Sequence, residues 1–171
     1  MKIAIIGAGA AGLMTAATIL ETHPQTDIFL IEKNDGLGKK VIISGGGRRN
    51  VTTGFTDIRT VLARYPRGNK FLSSAMYAFP PERVYTWFEE HGVPLKTEED
   101  LRVFPESNNG KDVVGVFERL FLDSSVDVWL KANAIRVEKV GQQFSIAFKD
   151  NVKPLVVHRL LLKTGGQAYR H

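Results

Sequence analysis

Gly7, Gly9 and Gly12 form a G-x-G-x-x-G pattern that begins directly after the apolar run Ile3-Ala4-Ile5-Ile6. Glycine at these three places suits dinucleotide chemistry. The first permits a sharp strand-to-helix turn, the second lets the backbone approach a pyrophosphate, and the third lets the helix lie close on the strand. The helix that follows then turns its unpaired N–H groups toward the phosphate charge. A second strand, Asp27-Ile28-Phe29-Leu30-Ile31, delivers Glu32, twenty residues beyond Gly12. A carboxylate there accepts hydrogen bonds from the hydroxyls of an adenosine ribose and repels a 2′-phosphate, which disfavours NADP. A tight βαβ corner that binds nothing is the competing reading of the same pattern.

A second constellation follows Glu32-Lys33. It runs Gly36-Leu37-Gly38-Lys39-Lys40, then a short apolar run, then Ser44-Gly45-Gly46-Gly47-Arg48-Arg49-Asn50-Val51-Thr52. Three consecutive glycines make poor core and poor helix. They suit either a loop whose backbone donors approach something flat or anionic, or a flexible surface loop with solvated arginines. His23, His91, His158 and His171 have no metal-ligand or triad spacing, and no residue is assigned a catalytic role. No second G-x-G-x-x-G is present for a nicotinamide donor.

The elements that must position these residues can be read from pattern. Ile3 to Leu20 is eighteen residues without a charge, superficially a signal peptide or membrane span. Its three glycines break it into strand, turn and helix instead. Helices are expected at Ile58–Arg64, Lys70–Ala78, Pro81–His91 and Lys111–Leu122, with Pro81 in a first turn and Gly92 as a stop. Tyr85, Trp87, Phe88, Phe71, Met76 and Phe79 are expected to fill core rather than line a ligand box. Leu95–Lys96 and Arg102–Phe104 read as a hairpin, and Val126–Leu130 as the third parallel strand. Alternation in Ile135/Val137, Phe144/Ile146/Phe148 and Leu155/Val157 predicts a three-stranded antiparallel meander, with turns at Gly141-Gln142 and Asp150-Asn151. Arg159–Lys163 then returns to the parallel sheet and carries Thr164-Gly165-Gly166 to the edge where ligands bind in such sheets.

Composition fits one soluble globular domain: 171 residues, 43% hydrophobic and 24% charged. The net charge of +5 permits a polyanionic partner without demanding one. With no cysteine, disulfides, thiolate metal sites and cysteine nucleophiles are excluded, and the cytoplasm is the expected compartment.

Taken together, the chain resembles the N-terminal part of the BaiN/RdsA-type NAD(P)/FAD-dependent oxidoreductases, also called aminoacetone oxidase family FAD-binding enzymes. The matching stretches are Ile5-Ile6-Gly7-Ala8-Gly9-Ala10-Ala11-Gly12, Ile31-Glu32-Lys33, Gly38-Lys39-Lys40 and Ile43-Ser44-Gly45-Gly46-Gly47-Arg48 with Asn50 and Thr52. They continue through Asn69-Lys70-Phe71-Leu72, Gly92-Val93-Pro94-Leu95-Lys96-Thr97-Glu98, Arg102-Val103-Phe104-Pro105 and Leu162-Lys163-Thr164-Gly165-Gly166. The resemblance implies an α/β, Rossmann-like FAD-binding fold of the glutathione-reductase type, with a helical insertion and a β-meander. It implies FAD as cofactor, with Gly7, Gly9, Ala10, Ala11 and Gly12 at the pyrophosphate and Glu32 and Lys33 at the adenosine ribose. Lys40, Ser44, Gly45, Gly46, Gly47, Arg48 and Asn50 would line the pyrophosphate-to-flavin half. Thr164, Gly165 and Gly166 would close on the cofactor, and backbone near Ala134 would read the adenine edge.

The sequence also departs from that family. Its Gly-Arg-Cys-Asn becomes Gly47-Arg48-Arg49-Asn50, with a guanidinium in place of a thiol. The Lys-Ala after Phe-Pro-x-Ser is replaced by Asn108-Asn109-Gly110-Lys111, and Gln167 to His171 leave the pattern. Residues 1–171 are therefore expected to be an N-terminal FAD-binding domain, a truncated member of the family. The substrate domain and a final FAD-contacting segment, with any nicotinamide donor and small-molecule substrate, would lie in a part this chain lacks. A NAD-binding dehydrogenase domain, a catalytically inactive remnant and a basic interaction module remain as alternatives. The basic module would need Arg48, Arg49, Arg64, Arg67 and Lys70 in one patch, and neither a nucleic-acid nor a membrane partner is expected.

Overall fold

The β-branched run at the start is strand β1 (Lys2–Ile6), followed by helix α1 (Ala10–Thr22) and strand β2 (Asp27–Ile31), in a computed structural model that describes residues 1–150 and 153–166. Next come α2 (Lys39–Ile43), β3 (Thr52–Thr53), α3 (Ile58–Ala63), α4 (Asn69–Ala78), α5 (Pro81–Glu90), β4 (Leu95–Thr97), β5 (Arg102–Pro105) and α6 (Gly110–Phe121). The last strands are β6 (Val126–Trp129), β7 (Ala134–Val140), β8 (Gln143–Phe148), β9 (Leu155–Val157) and β10 (Arg159–Leu162). The chain divides into two compact units, residues 1–41 with those from 117 onward, and residues 42–116.

In the first unit the strands run β10-β1-β2-β6 in one parallel sheet, with Ile5 opposite both Leu30 and Leu161. Central parallel strands are covered on both faces, so they read as continuous apolar runs, and Ala4, Ile5, Ile28 and Leu30 are wholly buried. Helix α1 buries Leu13 together with Gly12, Ala16 and Ala17, whose small size lets it sit close. The antiparallel meander β7-β8-β9 packs Ile146, Phe148 and Val157 against Ala4 and Ile31. Trp129 joins the two layers, edge-on to Phe29 at 5.8 Å and tilted against Phe148 at 5.5 Å. The expected third parallel strand, meander and returning strand are thus all present.

The second unit holds the antiparallel sheet β3-β5-β4 and helices α3 to α5. The helices start and stop within one residue of their expected bounds. Asp57 caps α3 by accepting from the N–H groups of Arg59 and Thr60, and Pro81 opens α5. Strand β3 pairs Thr52 with Val103, and two residues are too few to announce it by alternation. Trp87 and Phe88 are buried as expected, but Phe71 is 87% exposed and is not core. Leu72 and Met76 of α4 and Phe79 at its C-cap recur at helical spacing and are half-buried; Phe71 falls one residue off that stripe.

Among the described residues no helix is long and apolar enough to cross a membrane. Asn151 of the expected second meander turn, and Gln167 to His171, lie outside the described residues.

Candidate dinucleotide site

The four parallel strands bring their C-terminal ends together in the first unit. The N–H of Gly7 donates to Ile31 O, that of Glu32 to Trp129 O and that of Lys163 to Ile6 O, each at 2.8 Å. Gly7 adopts φ +105, and a Cβ there would stand 2.4 Å from Lys163 O and 3.0 Å from Thr164 N. A Cβ at Gly12 would stand 1.9 Å from Gly7 O. Glycine is dictated at both places by the protein's own packing. Gly9 differs: a Cβ there meets nothing within 4 Å. It caps α1 without a side-chain hydrogen bond, and the first turn carries no acidic residue. The first α-helical bond runs from Leu13 N to Gly9 O, so the N–H groups of Ala10, Ala11 and Gly12 precede the helix's own ladder. Open space and uncompensated positive helix charge coincide at one point, which fits a phosphate.

Glu32 is 9% exposed, and its carboxylate is engaged by its own chain. Its Oε2 accepts from Ala8 N–H at 2.9 Å, and its Oε1 accepts from Asn34 N–H at 2.9 Å and Asn34 Nδ2 at 2.6 Å. Lys33 is exposed. Lys40 donates from Nζ to Gly166 O at 3.3 Å, tying α2 to the segment after β10, and Thr164, Gly165 and Gly166 are exposed. Ala134, half-buried at the start of β7, follows a segment in which Lys131 N–H reaches Asn34 O and Ala132 N–H reaches Glu32 O. The structure therefore gathers Gly7, Gly9, Ala10, Ala11, Gly12, Glu32, Lys40, Thr164 and Gly166 at one sheet edge, with Ala134 just beyond Glu32.

Ser44, Gly45, Gly46, Gly47, Arg48 and Asn50 belong to the second unit. The three glycines have φ of +61, +66 and +85, a left-handed run that side chains resist. Gly110 N–H donates to Gly47 O at 2.8 Å, and Arg49 N–H to Ser44 O at 3.2 Å, closing the loop on itself. The Arg48 guanidinium forms an ion pair with Glu98, donates to Asn108 Oδ1 at 2.9 Å and lies 4.1 Å over the Phe104 ring. Arg49 donates to Ser44 Oγ at 2.8 Å, and burial pushes its guanidinium below the ordinary arginine range. Asn50 accepts from Val103 N–H through Oδ1 at 3.1 Å and borders a cavity of about 360 Å³. Val51, Thr52, Val61, Phe79 and Val84 line it as well, and among the described residues no charged one does.

The described histidines have local partners: His158 Nδ1 accepts from Lys2 N–H, His91 stacks on Trp87, and His23 meets Thr22 Oγ1. Among the described residues no group of acids or histidines could hold a metal ion. Sequence reasoning missed the Asn34 bonds to Glu32 and the Glu98–Asn108 clamp on Arg48. The first had a signal, an Asn two residues past a strand-end acid, since such side chains bond nearby backbone and side chains. The second rests on residues fifty and sixty positions away and had none.

The HI0933-like protein Rossmann domain family matches residues 1–171. A 3-dehydro-bile acid delta(4,6)-reductase of Clostridium scindens is 22% identical over 169 residues, covering 98% of this chain and 39% of that protein. A ribosomal RNA dihydrouridine synthase of Haemophilus influenzae is 25% identical over 165 residues, covering 95% and 39%. The chain thus spans about two fifths of the length of these curated relatives. Among solved structures, the quinol fumarate reductase FrdA of E. coli superposes with a TM-score of 0.71 at 16% identity, covering 97% of this chain and 33% of that one. That likeness is one of fold.

Proposed function

The chain belongs to the HI0933-like Rossmann-domain family, and from that premise we propose that residues 1–171 are the FAD-binding domain of a flavin-dependent oxidoreductase. One observation carries the reading: the acid-free start of α1 opens behind Gly9 into free space, beside a turn held by Glu32. Gly7, Gly9, Ala10, Ala11 and Gly12 hold the pyrophosphate through backbone N–H groups, and Glu32 and Lys33 serve the adenosine ribose. Backbone near Ala134 meets the adenine edge, while Thr164, Gly165 and Gly166, anchored through Lys40, border the cofactor. Ser44, Gly45, Gly46, Gly47, Arg48 and Asn50 serve the flavin half, where their backbone donors meet anionic or flat groups. FAD, when bound, supplies the electron transfer; this chain supplies position and electrostatics.

One curated relative is named as a reductase of a bile acid, so the activity we propose for the longer protein is reduction of a small-molecule substrate with a nicotinamide donor; the ribosomal RNA in the name of the other is the alternative substrate class. Donor and substrate use the part of such proteins that this chain does not span. We place the chain in the cytoplasm, on its lack of cysteine. A NAD-binding dehydrogenase domain is the weaker reading, because the triple-glycine loop and the whole second unit stand between β2 and β6.

The experiment is the visible absorption spectrum of the purified chain, followed by heat release of whatever colours it. A yellow protein releasing one FAD per chain is expected. A folded, colourless chain that FAD does not reconstitute, and that binds NAD instead, would reverse the order of the two readings.

A further inference from the structure

Resting on the flavin reading, we propose that Asn34 is a positioning residue that fixes Glu32 and thereby sets the site's preference for an unphosphorylated ribose. A carboxylate offers about four acceptor positions. Asn34 occupies two of them on Oε1 and Ala8 N–H a third on Oε2, at 2.6–2.9 Å. The position left over is on Oε2, the oxygen that also holds the glycine turn. A ribose hydroxyl that donates to Glu32 therefore donates to the atom already tied to the phosphate-binding backbone. A 2′-phosphate meets a carboxylate that three bonds keep from rotating away.

Asn34 has a second attachment. Its backbone carbonyl accepts from Lys131 N–H at 2.8 Å, while Glu32 O accepts from Ala132 N–H at 2.9 Å. One residue thus joins the ribose carboxylate to the segment leading into Ala134. The neutral amide matters as much as its place. A carboxylate there would set like charge against Glu32 at hydrogen-bond distance, and the pair would take up a shared proton. The charged groups that this segment and the facing loop bring up are Lys33, Asp35 with its partner Lys39, and Lys131. The glycine turn and the first turn of α1 bring none.

The test titrates the full chain and the variants Asn34→Asp and Asn34→Ala with FAD between about pH 5.5 and 8, a range below lysine titration and above that of ordinary carboxylates. Wild-type affinity is expected to stay flat. Asn34→Asp is expected to bind about tenfold more weakly at the upper end and to recover most of that loss at the lower end, as the carboxylate pair gains its proton. Asn34→Ala is expected to show no such slope, but to narrow the preference for ADP over adenosine 2′,5′-bisphosphate. Thermal melting without ligand checks folding, and if Asn34→Asp fails to fold, the ADP preference of Asn34→Ala decides. A flat profile for folded Asn34→Asp, or an unchanged preference in Asn34→Ala, overturns the role of Asn34 alone. A folded wild-type chain that binds neither FAD nor ADP overturns the flavin reading, and this inference with it.

Discussion

The chain has two glycine clusters, and glycine answers to different constraints in each. In the turn from Gly7 to Gly12, a side chain at either end would run into the protein's own backbone, at 2.4 Å from Lys163 O and 1.9 Å from Gly7 O. Only Gly9 between them faces open space. In the loop from Gly45 to Gly47 the constraint is conformational: all three have positive φ, and a Cβ at Gly46 or Gly47 meets nothing within 4 Å. The first cluster is held by the sheet around it, through Lys163, Ile31 and Glu32. The second is held by its own backbone, by Gly110 and by the Arg49–Ser44 bond. A glycine pattern therefore does not say by itself whether it serves folding or a ligand; the neighbours of the missing Cβ do.

Substitutions that separate those two roles test the contrast. Gly12→Ala should have the largest effect. The methyl group has no room without moving the turn or the helix, so a cost on the order of 4 kcal/mol is expected, a large share of a domain's stability. Thermal melting should show a collapsed or absent transition. Melting close to wild type would mean that α1 can lift off β1, and that packing does not explain the third glycine. Gly9→Ala should do the opposite. Its φ of −80° suits alanine and the added methyl group enters open space, so the melt should stay near wild type. If the pyrophosphate approaches through that space, as proposed, FAD affinity should fall by roughly ten- to a hundredfold, about 1.4–2.8 kcal/mol. Undiminished affinity would move the pyrophosphate away from Gly9.

These predictions also divide what was legible in the sequence from what was not. The parallel strands, the meander and the four helices expected between 58 and 122 could be bounded closely because burial writes itself as periodicity: runs such as Ile3–Ile6 for a two-faced strand, alternation such as Phe144/Ile146/Phe148 for a one-faced one. Strand β3 was too short for any period, and Phe71 was misplaced because an aromatic residue near a core stripe looks like part of it. At the candidate site, spacing alone singled out the glycines and Glu32, and the structure brings them to one sheet edge. What Glu32 touches was not legible. Its bond to Ala8 depends on how the end of β2 sits against the turn after β1, a tertiary fact that spacing does not encode. The Arg48 clamp is more distant still, since Glu98 and Asn108 come from either side of β5.

The second cluster should respond more mildly. Gly46→Ala forces an alanine to φ +66 without a clash, an expected cost of about 1–2 kcal/mol in the melt, the ordinary penalty for a left-handed L-residue. A loss as large as that of Gly12→Ala would show the loop to be packed rather than merely turned.

Arg49→Cys, like Gly9→Ala, is expected to change stability little. Arg49 already sits at φ +58, so cysteine brings no new backbone strain. What is lost is the bond to Ser44 Oγ, a net contribution of about 1 kcal/mol. What is relieved is the desolvation of a half-buried guanidinium, which works in the other direction. The melt should therefore shift little, while the loop regains the thiol found at this place in the family that the sequence resembles. If the guanidinium crowds the flavin half, the variant should retain more FAD per chain after gel filtration than the wild type. Equal retention, with equal melting, would show that the arginine fits beside the cofactor and that the loop's left-handed glycines, rather than the side chain after Arg48, govern its hold on flavin.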